Sequence, residues 1–265
     1  MKLTTDIFLI TFPDDYQWLP FLFRSIARHV MGFDRLVVVV EEGDEPPLAL
    51  LQNSGVRAWE IERCRRYRGT SYPGYTGQAI EKLRAWHYTD AERVMFIDSD
   101  CVFTRPLDLQ TDPHINLAKP IVWWRQWNEA GPALCWKEST DQILGFSSYG
   151  ETMCRHPFVF PGWMLHLLWE RIGGEERLFR FPRVSDFNLM GNFAFSLEDQ
   201  VGYSEDMFTL NHWPPPPPAA TEADHARLGE AIAVEVPGAC VRQFWSRKGV
   251  TVEVEEEMRK MELMP

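Results

Sequence analysis

The feature that most constrains this chain is a short run in which two aspartates interrupt an otherwise apolar segment. Residues 94–97 are apolar, Asp98 and Asp100 follow with Ser99 between them, and apolar residues resume at Cys101. Carboxylates are costly to bury unless they are paired or bind a cation. In an extended segment, residues two apart point the same way, so the two carboxylates would repel each other and a divalent cation would relieve the repulsion. The run predicts a buried strand that ends at a metal site; the alternative is a strand that ends in an ordinary turn, where Asp and Ser are common.

The first half of the chain alternates between strand and helix patterns. A mostly apolar run at 6–12 and a continuous apolar run at 36–40 predict buried strands, and the apolar spacing over 16–31 predicts a helix between them. A further strand is predicted at 56–61 and a helix at 78–87. This order predicts an α/β fold with a doubly wound, mostly parallel sheet flanked by helices.

Candidate ligand-binding residues follow from this architecture, because ligands of such sheets bind beyond the carboxyl ends of the strands. Thr11, Phe12 and Asp98 all stand at predicted strand ends. Gln78 and Lys82 are four residues apart and share one face of the helix that precedes the aspartates. We therefore expect these side chains near one site.

An arginine-rich segment stands out in an acidic chain. Arg63, Arg65, Arg66 and Arg68 lie close together, although the formal net charge of the 265 residues is −11. Such a segment is typical of a solvated loop, and equally of a site for phosphate or carboxylate, whose oxygens match the guanidinium fork. The acidic balance argues against nucleic acid as a partner, because phosphate backbones require a basic surface.

The composition predicts a globular protein with an ample core. Hydrophobic residues make up 45% of the chain and charged residues 25%. No apolar run reaches the ~18 residues of a transmembrane helix, and no signal peptide is recognisable, although a peripheral membrane contact stays open. The five cysteines have no regular spacing, which indicates reduced thiols and a cytoplasmic location.

The second half of the chain is less regular. Strands are predicted at 121–124, 152–160, 234–236 and 239–245, and helices at 136–146, 162–172, 185–195, 221–233 and 254–263. Ser185 stands at the N-cap of the third of these helices. The unbroken prolines at 214–218 predict a stiff extended segment.

Five motifs together resemble those of one bacterial group of GT-A glycosyltransferases. FIDSDCVF at 96–103 resembles the DxD motif of that superfamily. The other four motifs are similar to group signatures and occur in the same order: 6–12 with Asp15, GQAIEKL at 77–83, HPFVF at 156–160, and SDFNLMG at 185–191. The resemblance spans most of the chain, from residue 6 to about 191.

For the donor, the resemblance implies that Asp98 and Asp100 hold Mn²⁺ or Mg²⁺ against the diphosphate of a nucleotide sugar. Thr11, Phe12 and Gln78 would contact the nucleotide sugar. Lys82, Arg66 and Asp98 would bind there as well, with the two basic side chains on the phosphates.

For the acceptor, the resemblance implies a carboxylate at Asp186, acting as general base or as a binding group, with His156 and Asn192 as further acceptor contacts. The sequence departs from the group at two places. Asp186 stands where the group usually has Glu, and the segment 243–249 lacks the C-terminal His that many GT-A enzymes supply to the metal. His212 is the tentative third metal ligand.

The function implied is transfer of a sugar from a UDP- or GDP-sugar to a glycan or other hydroxyl acceptor, in surface polysaccharide or glycoconjugate synthesis. We expect one GT-A-like domain with a nucleotide-sugar half (1–110), an acceptor half (111–213) and a C-terminal tail (214–265).

Two alternative functions remain. A sugar-nucleotide nucleotidyltransferase normally carries a glycine-rich, basic loop after its first strand, but residues 11–15 are acidic and lack glycine. A non-catalytic nucleotide- or carbohydrate-binding protein would not need intact Asp98, Asp100 and Asp186.

Overall fold

A seven-stranded sheet forms the centre of the computed structural model, which describes residues 3–67, 74–111, 121–124, 126–153, 156–201, 209–212, 232–235, 240–245 and 249–264. The strands are β1 (Thr5–Ile10), β2 (Val30–Met31), β3 (Arg35–Glu41), β4 (Trp59–Cys64), β5 (Arg93–Phe96), β6 (Cys101–Phe103), β7 (Leu107–Asp108), β8 (Ile121–Trp124), β9 (Phe158–Pro161), β10 (Thr209–His212), β11 (Ile232–Glu235) and β12 (Val241–Trp245). The central sheet has the order β10-β8-β9-β5-β1-β3-β4, and β9 alone runs antiparallel to its neighbours among these described strands. The predicted α/β architecture with a mostly parallel sheet is confirmed.

Helices cover both faces of this sheet. They are α1 (Leu19–His29), α2 (Leu48–Gln52), α3 (Gly74–Leu83), α4 (Lys137–Leu144), α5 (Gly162–Ile172), α6 (Glu175–Leu178), α7 (Asp186–Val201) and α8 (Val252–Lys260). Phe8 and Ile10 of β1 enter a core shared with α3, α5 and α7, whereas Ile7 and Leu9 enter a second core with α1. Because both faces are covered, β1 and β3 are apolar almost throughout, and that is why continuous apolar runs identified them.

Two predicted elements differ from the structure in extent. The strand predicted at 56–61 is β4, which begins three residues later, since this half-buried edge strand alternates apolar residues with Glu60 and Glu62. The helix predicted at 78–87 is α3, which begins at Gly74 and ends at Leu83 before a separate 3-10 turn. The weak apolar pattern of β4 explains why its predicted start was too early. The change from α-helix to 3-10 turn explains why α3 ends before the predicted end at residue 87.

Two further predictions lie mostly outside the described residues. These are the proline segment at 214–218 and the helix at 221–233. The last two positions of that helix prediction are wrong, because Ile232 and Ala233 belong to β11 and pair with β12.

The C-terminal part of the chain returns to the aspartate loop. Strands β11, β12 and β6 form a second, three-stranded sheet, in which β12 pairs antiparallel with β6 directly after Asp100. Helix α8 starts at the N-cap Thr251 and packs Val254 and Met258 against Trp18 and Phe244. None of the helices in the described part of the chain is both long and apolar enough to cross a bilayer.

The depth at which α3 packs depends on Gly77. A Cβ at this position would lie 2.3 Å from Cγ of Tyr67, a fully buried ring. The Tyr67 hydroxyl donates to Glu81 one turn further along α3, so the ring has little room to move. We expect Gly77→Ala to lower the free energy of unfolding by roughly 1–3 kcal/mol. Urea denaturation would check this, and an unchanged midpoint would show that the Tyr67 side chain makes room for the methyl group without loss of stability.

Candidate active site

An open cavity of about 320 Å³ lies beyond the carboxyl ends of β1 and β5. The chain runs from β1 to β3 on one side and returns to β5 on the other, so a crevice forms between the loops that follow β1 and β5. Asp98 and Asp100 lie in the loop after β5, Asp15 lies in the loop after β1, and all three line the cavity. The position predicted from the topology therefore coincides with a cavity that carries three carboxylates.

The two carboxylate oxygens of Asp98 meet two different basic side chains. Lys82 Nζ donates to Oδ1 at 2.6 Å, and His156 Nε2 lies 2.9 Å from Oδ2. Burial alone would raise the pKa of Asp98, but the charges of Lys82 and His156 outweigh it and hold the pKa well below the usual range. Asp98 is thus kept ionised by the protein itself.

The pKa of Asp100 is shifted in the opposite direction. Burial, together with the negative charge of Asp98, raises the pKa of Asp100 to about 7. Its side chain accepts a hydrogen bond from Gln243 Nε2 at 3.2 Å, and its carbonyl accepts one from the amide of Phe244 at 2.8 Å. Among the described residues, no Lys, Arg or His forms an ion pair with Asp100. The two aspartates, which the sequence suggested would act alike, differ in their charge compensation.

A divalent cation fits this arrangement at Asp100. A carboxylate that is costly to ionise, sits in a cavity wall and lacks a basic partner gains from a hard cation. Asp98 could join it by yielding one of its present contacts. No group of three or more His, Cys, Asp and Glu side chains arranged for a metal is present in the part of the chain that the structure describes.

Lys82 is buried beside Asp98, which lines the cavity, and its side chain is only 4% exposed. Its Nζ is 2.6 Å from Asp98 Oδ1, 3.3 Å from Asp186 Oδ2 and 4.5 Å from the centroid of the Phe187 ring. Burial favours the neutral amine, but the charges of Asp186 and Asp98 outweigh this and raise the pKa of Lys82. An ammonium has three donors, and three groups of the protein surround this one. The predicted role of Lys82 on a diphosphate would require it to leave one of them.

Lys82→Met tests whether Lys82 is the shared cation of Asp98 and Asp186. Removing one partner of a buried ion pair leaves charge without compensation, at a cost of about 3–5 kcal/mol. We expect the free energy of unfolding at neutral pH to fall by roughly that amount. The control is Lys137→Met, because Lys137 pairs with Asp141 on a surface helix and should cost about 1 kcal/mol or less. Equal losses in the two variants would contradict the shared-cation role.

Asp186 is the first residue of α7 and is buried. The helix is capped as predicted, since Ser185 Oγ accepts a hydrogen bond from the amide of Asn188 at 3.3 Å. One oxygen of Asp186 faces Lys82, and through Lys82 it is linked to Asp98. The structure therefore links the predicted catalytic carboxylate, through Lys82, to Asp98, one of the two aspartates predicted to hold the metal.

Three further predicted nucleotide contacts are Thr11 and Phe12 in the loop after β1, and Gln78 on α3. Thr11 is fully buried and its Oγ1 accepts a hydrogen bond from Ser99 Oγ at 3.0 Å, which ties the loop after β1 to the aspartate loop. Phe12 is half-buried against the α3 core. Gln78 lines the cavity itself.

Arg66 is exposed and is not among the described residues that line the cavity. Its neighbours in the arginine-rich segment have local partners. Arg63 donates to the carbonyls of Glu41 and Asp44, and Arg65 pairs with Glu175. Arg68 lies outside the described residues. The segment thus serves local structure at Arg63 and Arg65, and the phosphate role of Arg66 stays a prediction.

The two predicted acceptor contacts have different surroundings. His156 lines the cavity and contacts Asp98, which is itself predicted to bind the donor, so its role as an acceptor contact stays a prediction. Asn192 is fully buried: its Oδ1 accepts from the amide of Tyr149 at 2.7 Å, and its Nδ2 donates to the carbonyl of Gly150 at 2.9 Å. Its polar atoms thus hold the loop before β9, which is a structural role.

His212 lies in β10, the edge strand of the central sheet. Strands β8 and β9 separate β10 from β5, so the backbones of β10 and β5 are roughly 14 Å apart. The topology does not bring His212 next to the aspartate loop, and its role as third metal ligand stays a prediction.

Several residues of the cavity were not singled out from the sequence. Trp18 and Phe244 stack with ring centroids 6.1 Å apart on one side, and Tyr75 and Met153 lie on another. Gln243 lies in the segment 243–249, where many GT-A enzymes have a histidine. The position was therefore predictable from the sequence, but a glutamine there was not. The others are aromatic or apolar residues, which the sequence alone could not separate from core.

Comparisons with known proteins identify the fold. No family model matches the chain, and no curated protein matches it in sequence. The structure is similar to the crystal structure of the galactosyltransferase LgtC in complex with donor and acceptor sugar analogs, with a TM-score of 0.55 and 12% sequence identity. The match covers 97% of this chain and 94% of that chain. The chain therefore shares the GT-A fold of that galactosyltransferase.

Proposed function

We propose that this protein is a metal-dependent glycosyltransferase that moves a sugar from a UDP- or GDP-sugar to a hydroxyl group of a glycan or other acceptor. The observation that carries the proposal is the set of three carboxylates, Asp15, Asp98 and Asp100, lining a cavity at the switch point of a GT-A fold. Asp100, which has no basic ion-pair partner among the described residues, would repel a diphosphate unless a cation lay between them. We place the reaction in surface polysaccharide or glycoconjugate synthesis, in the cytoplasm.

In this proposal Asp100 holds Mn²⁺ or Mg²⁺, with Asp98 beside it. The cation would neutralise the charge that develops on the diphosphate as it leaves the sugar. Gln243 and the amide of Phe244 orient Asp100 through its side chain and its carbonyl. Lys82 and His156 keep Asp98 ionised and fixed. The protein thus supplies one carboxylate in need of a cation and one that is already balanced.

Asp186 is the proposed catalytic residue on the acceptor side. As general base it would take the proton of the acceptor hydroxyl, and the reaction would invert the anomeric carbon. As a group that only binds the acceptor, it would be compatible with retention.

The loop after β1 favours this reaction over nucleotidyl transfer. Residues Pro13–Asp15 form an acidic 3-10 turn, and Asp15 faces the cavity. A nucleotidyltransferase would normally present backbone amides and basic groups to the phosphates at this place.

A thermal-shift screen of nucleotide sugars with and without Mn²⁺ tests the proposal. A donor present at 100 times its Kd stabilises the folded protein by about 2.7 kcal/mol, so a matching donor should raise Tm only when the metal is present. The same donor should then be hydrolysed slowly to a nucleoside diphosphate and free sugar. Stabilisation by no nucleotide sugar would contradict the proposal, and release of pyrophosphate from a nucleoside triphosphate and a sugar 1-phosphate would replace it with nucleotidyl transfer.

A further inference from the structure

We infer that Tyr75 is the residue that selects the acceptor, and that it does so by offering its ring to the face of a pyranose. The acceptor would then be a carbohydrate rather than a serine or threonine of a protein. This inference rests on the proposed function and adds to it the substrate class and the residue that reads it.

Tyr75 stands at the outer end of a line of side chains that leads into the site. Tyr75, Gln78 and Lys82 are spaced by three and four residues on α3, so they share one face of the helix. Lys82 contacts Asp98 and Asp186 at the inner end, and Gln78 and Tyr75 line the cavity. Tyr75 itself is 38% exposed, so it forms part of the cavity wall that solvent reaches.

The Tyr75 ring is held in place from two directions. Trp136 packs against it, with ring centroids 5.3 Å apart and planes inclined by 36°. The Tyr75 hydroxyl lies 3.5 Å from the sulfur of Met153, another residue of the cavity wall. An aromatic surface that is fixed before binding loses little conformational entropy when a ligand covers it.

Negative charge lies close to this ring. Partial burial and the charges of Asp186 and Asp98 raise the pKa of the Tyr75 phenol. An apolar face beside carboxylates matches a pyranose, which has an apolar C–H face and hydroxyl groups around its edge. A serine or threonine side chain has no such face to cover the ring.

Binding of simple glycosides tests the inference. The probes are the methyl glycosides of glucose, galactose, mannose and N-acetylglucosamine, with a serine-containing peptide for comparison, measured by saturation-transfer NMR on the full chain with Mn²⁺ and UDP or GDP. We expect at least one glycoside to bind the wild type and the peptide not to bind. Tyr75→Ala and Tyr75→Leu should weaken that glycoside about tenfold, the effect of losing an aromatic contact of about 1.4 kcal/mol.

Three further variants separate stacking from other effects. Tyr75→Phe keeps the ring and should bind the glycoside within about twofold of the wild type, on the scale where tenfold is 1.4 kcal/mol. Trp136→Ala keeps Tyr75 but removes its support and should give an intermediate loss. Tyr149→Ala is the matched control, because Tyr149 is 48% exposed and stacks on Phe195 outside the cavity wall. A loss in Tyr75→Phe as large as in Tyr75→Ala would overturn the stacking role.

The failure of this inference can be told apart from that of the proposed function. If nucleotide sugars bind with Mn²⁺ but the glycosides bind Tyr75→Ala as well as the wild type, or the peptide alone binds, the acceptor inference is wrong and the transferase proposal stands. If no nucleotide sugar binds, the proposed function fails, and the acceptor inference fails with it.

Discussion

Asp100→Asn is expected to remove metal-dependent nucleotide binding while leaving the protein folded. The amide keeps the shape of the side chain and its neighbour Gln243, but it removes the charge that would hold the cation. Substituting a residue that only hydrogen-bonds to a metal ligand already reduces metal affinity by about 10–100-fold. Loss of a direct ligand should therefore reduce the affinity for UDP or GDP with Mn²⁺ by at least about 100-fold. Titration calorimetry with and without Mn²⁺ measures this directly.

The same variant should be more stable than the wild type when the metal is removed. The pKa of Asp100 is raised from 3.8 to about 7 in the folded protein, so the wild type loses stability as pH rises through that window. Asn does not titrate, and the advantage of Asp100→Asn in EDTA should therefore develop between about pH 4 and 7 and stay level above that. Asp90→Asn, an exposed carboxylate at the other end of the sheet, is the control. Unchanged Mn²⁺-dependent affinity in Asp100→Asn would exclude Asp100 as a metal ligand.

The fold was predictable because both faces of the sheet are covered. The apolar runs at β1, β3 and β5 report full burial, and the aspartates after β5 report a strand end that needs a cation or a partner. Both signals are local in sequence. At the edge of the sheet, where β4 is half-buried, the pattern weakens and the predicted bounds moved by three residues.

The division of roles between Asp98 and Asp100 was not predictable in the same way. It depends on His156, which is 58 residues from Asp98, and on Gln243, which is 143 residues from Asp100. Periodicity places residues on one face of an element but does not say which elements meet. Lys82 shows the difference, because its face of α3 was predicted, whereas its two carboxylate partners were not.

Asn192 is a second residue whose contacts could not be predicted from the sequence. It lies four residues after Asn188 on α7, near a motif that resembles an acceptor-side signature, and from the sequence alone it is a reasonable acceptor contact. In the structure its amide hydrogen-bonds to the backbone of Tyr149 and Gly150, and its role as an acceptor contact stays a prediction. A buried amide with backbone partners and one that awaits a ligand have the same sequence pattern.

Asp186→Asn is expected to lower turnover by roughly 10²–10⁴, the usual effect of losing a general acid or base. The substitution keeps the size of the side chain and its place at the start of α7. Lys82 would keep Asp98 as its partner at 2.6 Å, so the donor side should change little. The affinity for the nucleoside diphosphate with Mn²⁺ should therefore stay within about twofold, less than the tenfold that 1.4 kcal/mol represents.

Two comparisons assign the effect to a mechanism. If Asp186 acts only by balancing Lys82, the double variant Lys82→Met/Asp186→Asn should be more stable than Lys82→Met alone, while Asp186→Asn by itself should retain turnover. If Asp186 is the base, Asp186→Asn should lose turnover even though it binds donor and metal normally. The anomeric configuration of the product is then measured, because a single displacement in which Asp186 acts as the base inverts the anomeric carbon. A retained configuration, together with full donor binding and lost turnover, would exclude Asp186 as the base of a single displacement.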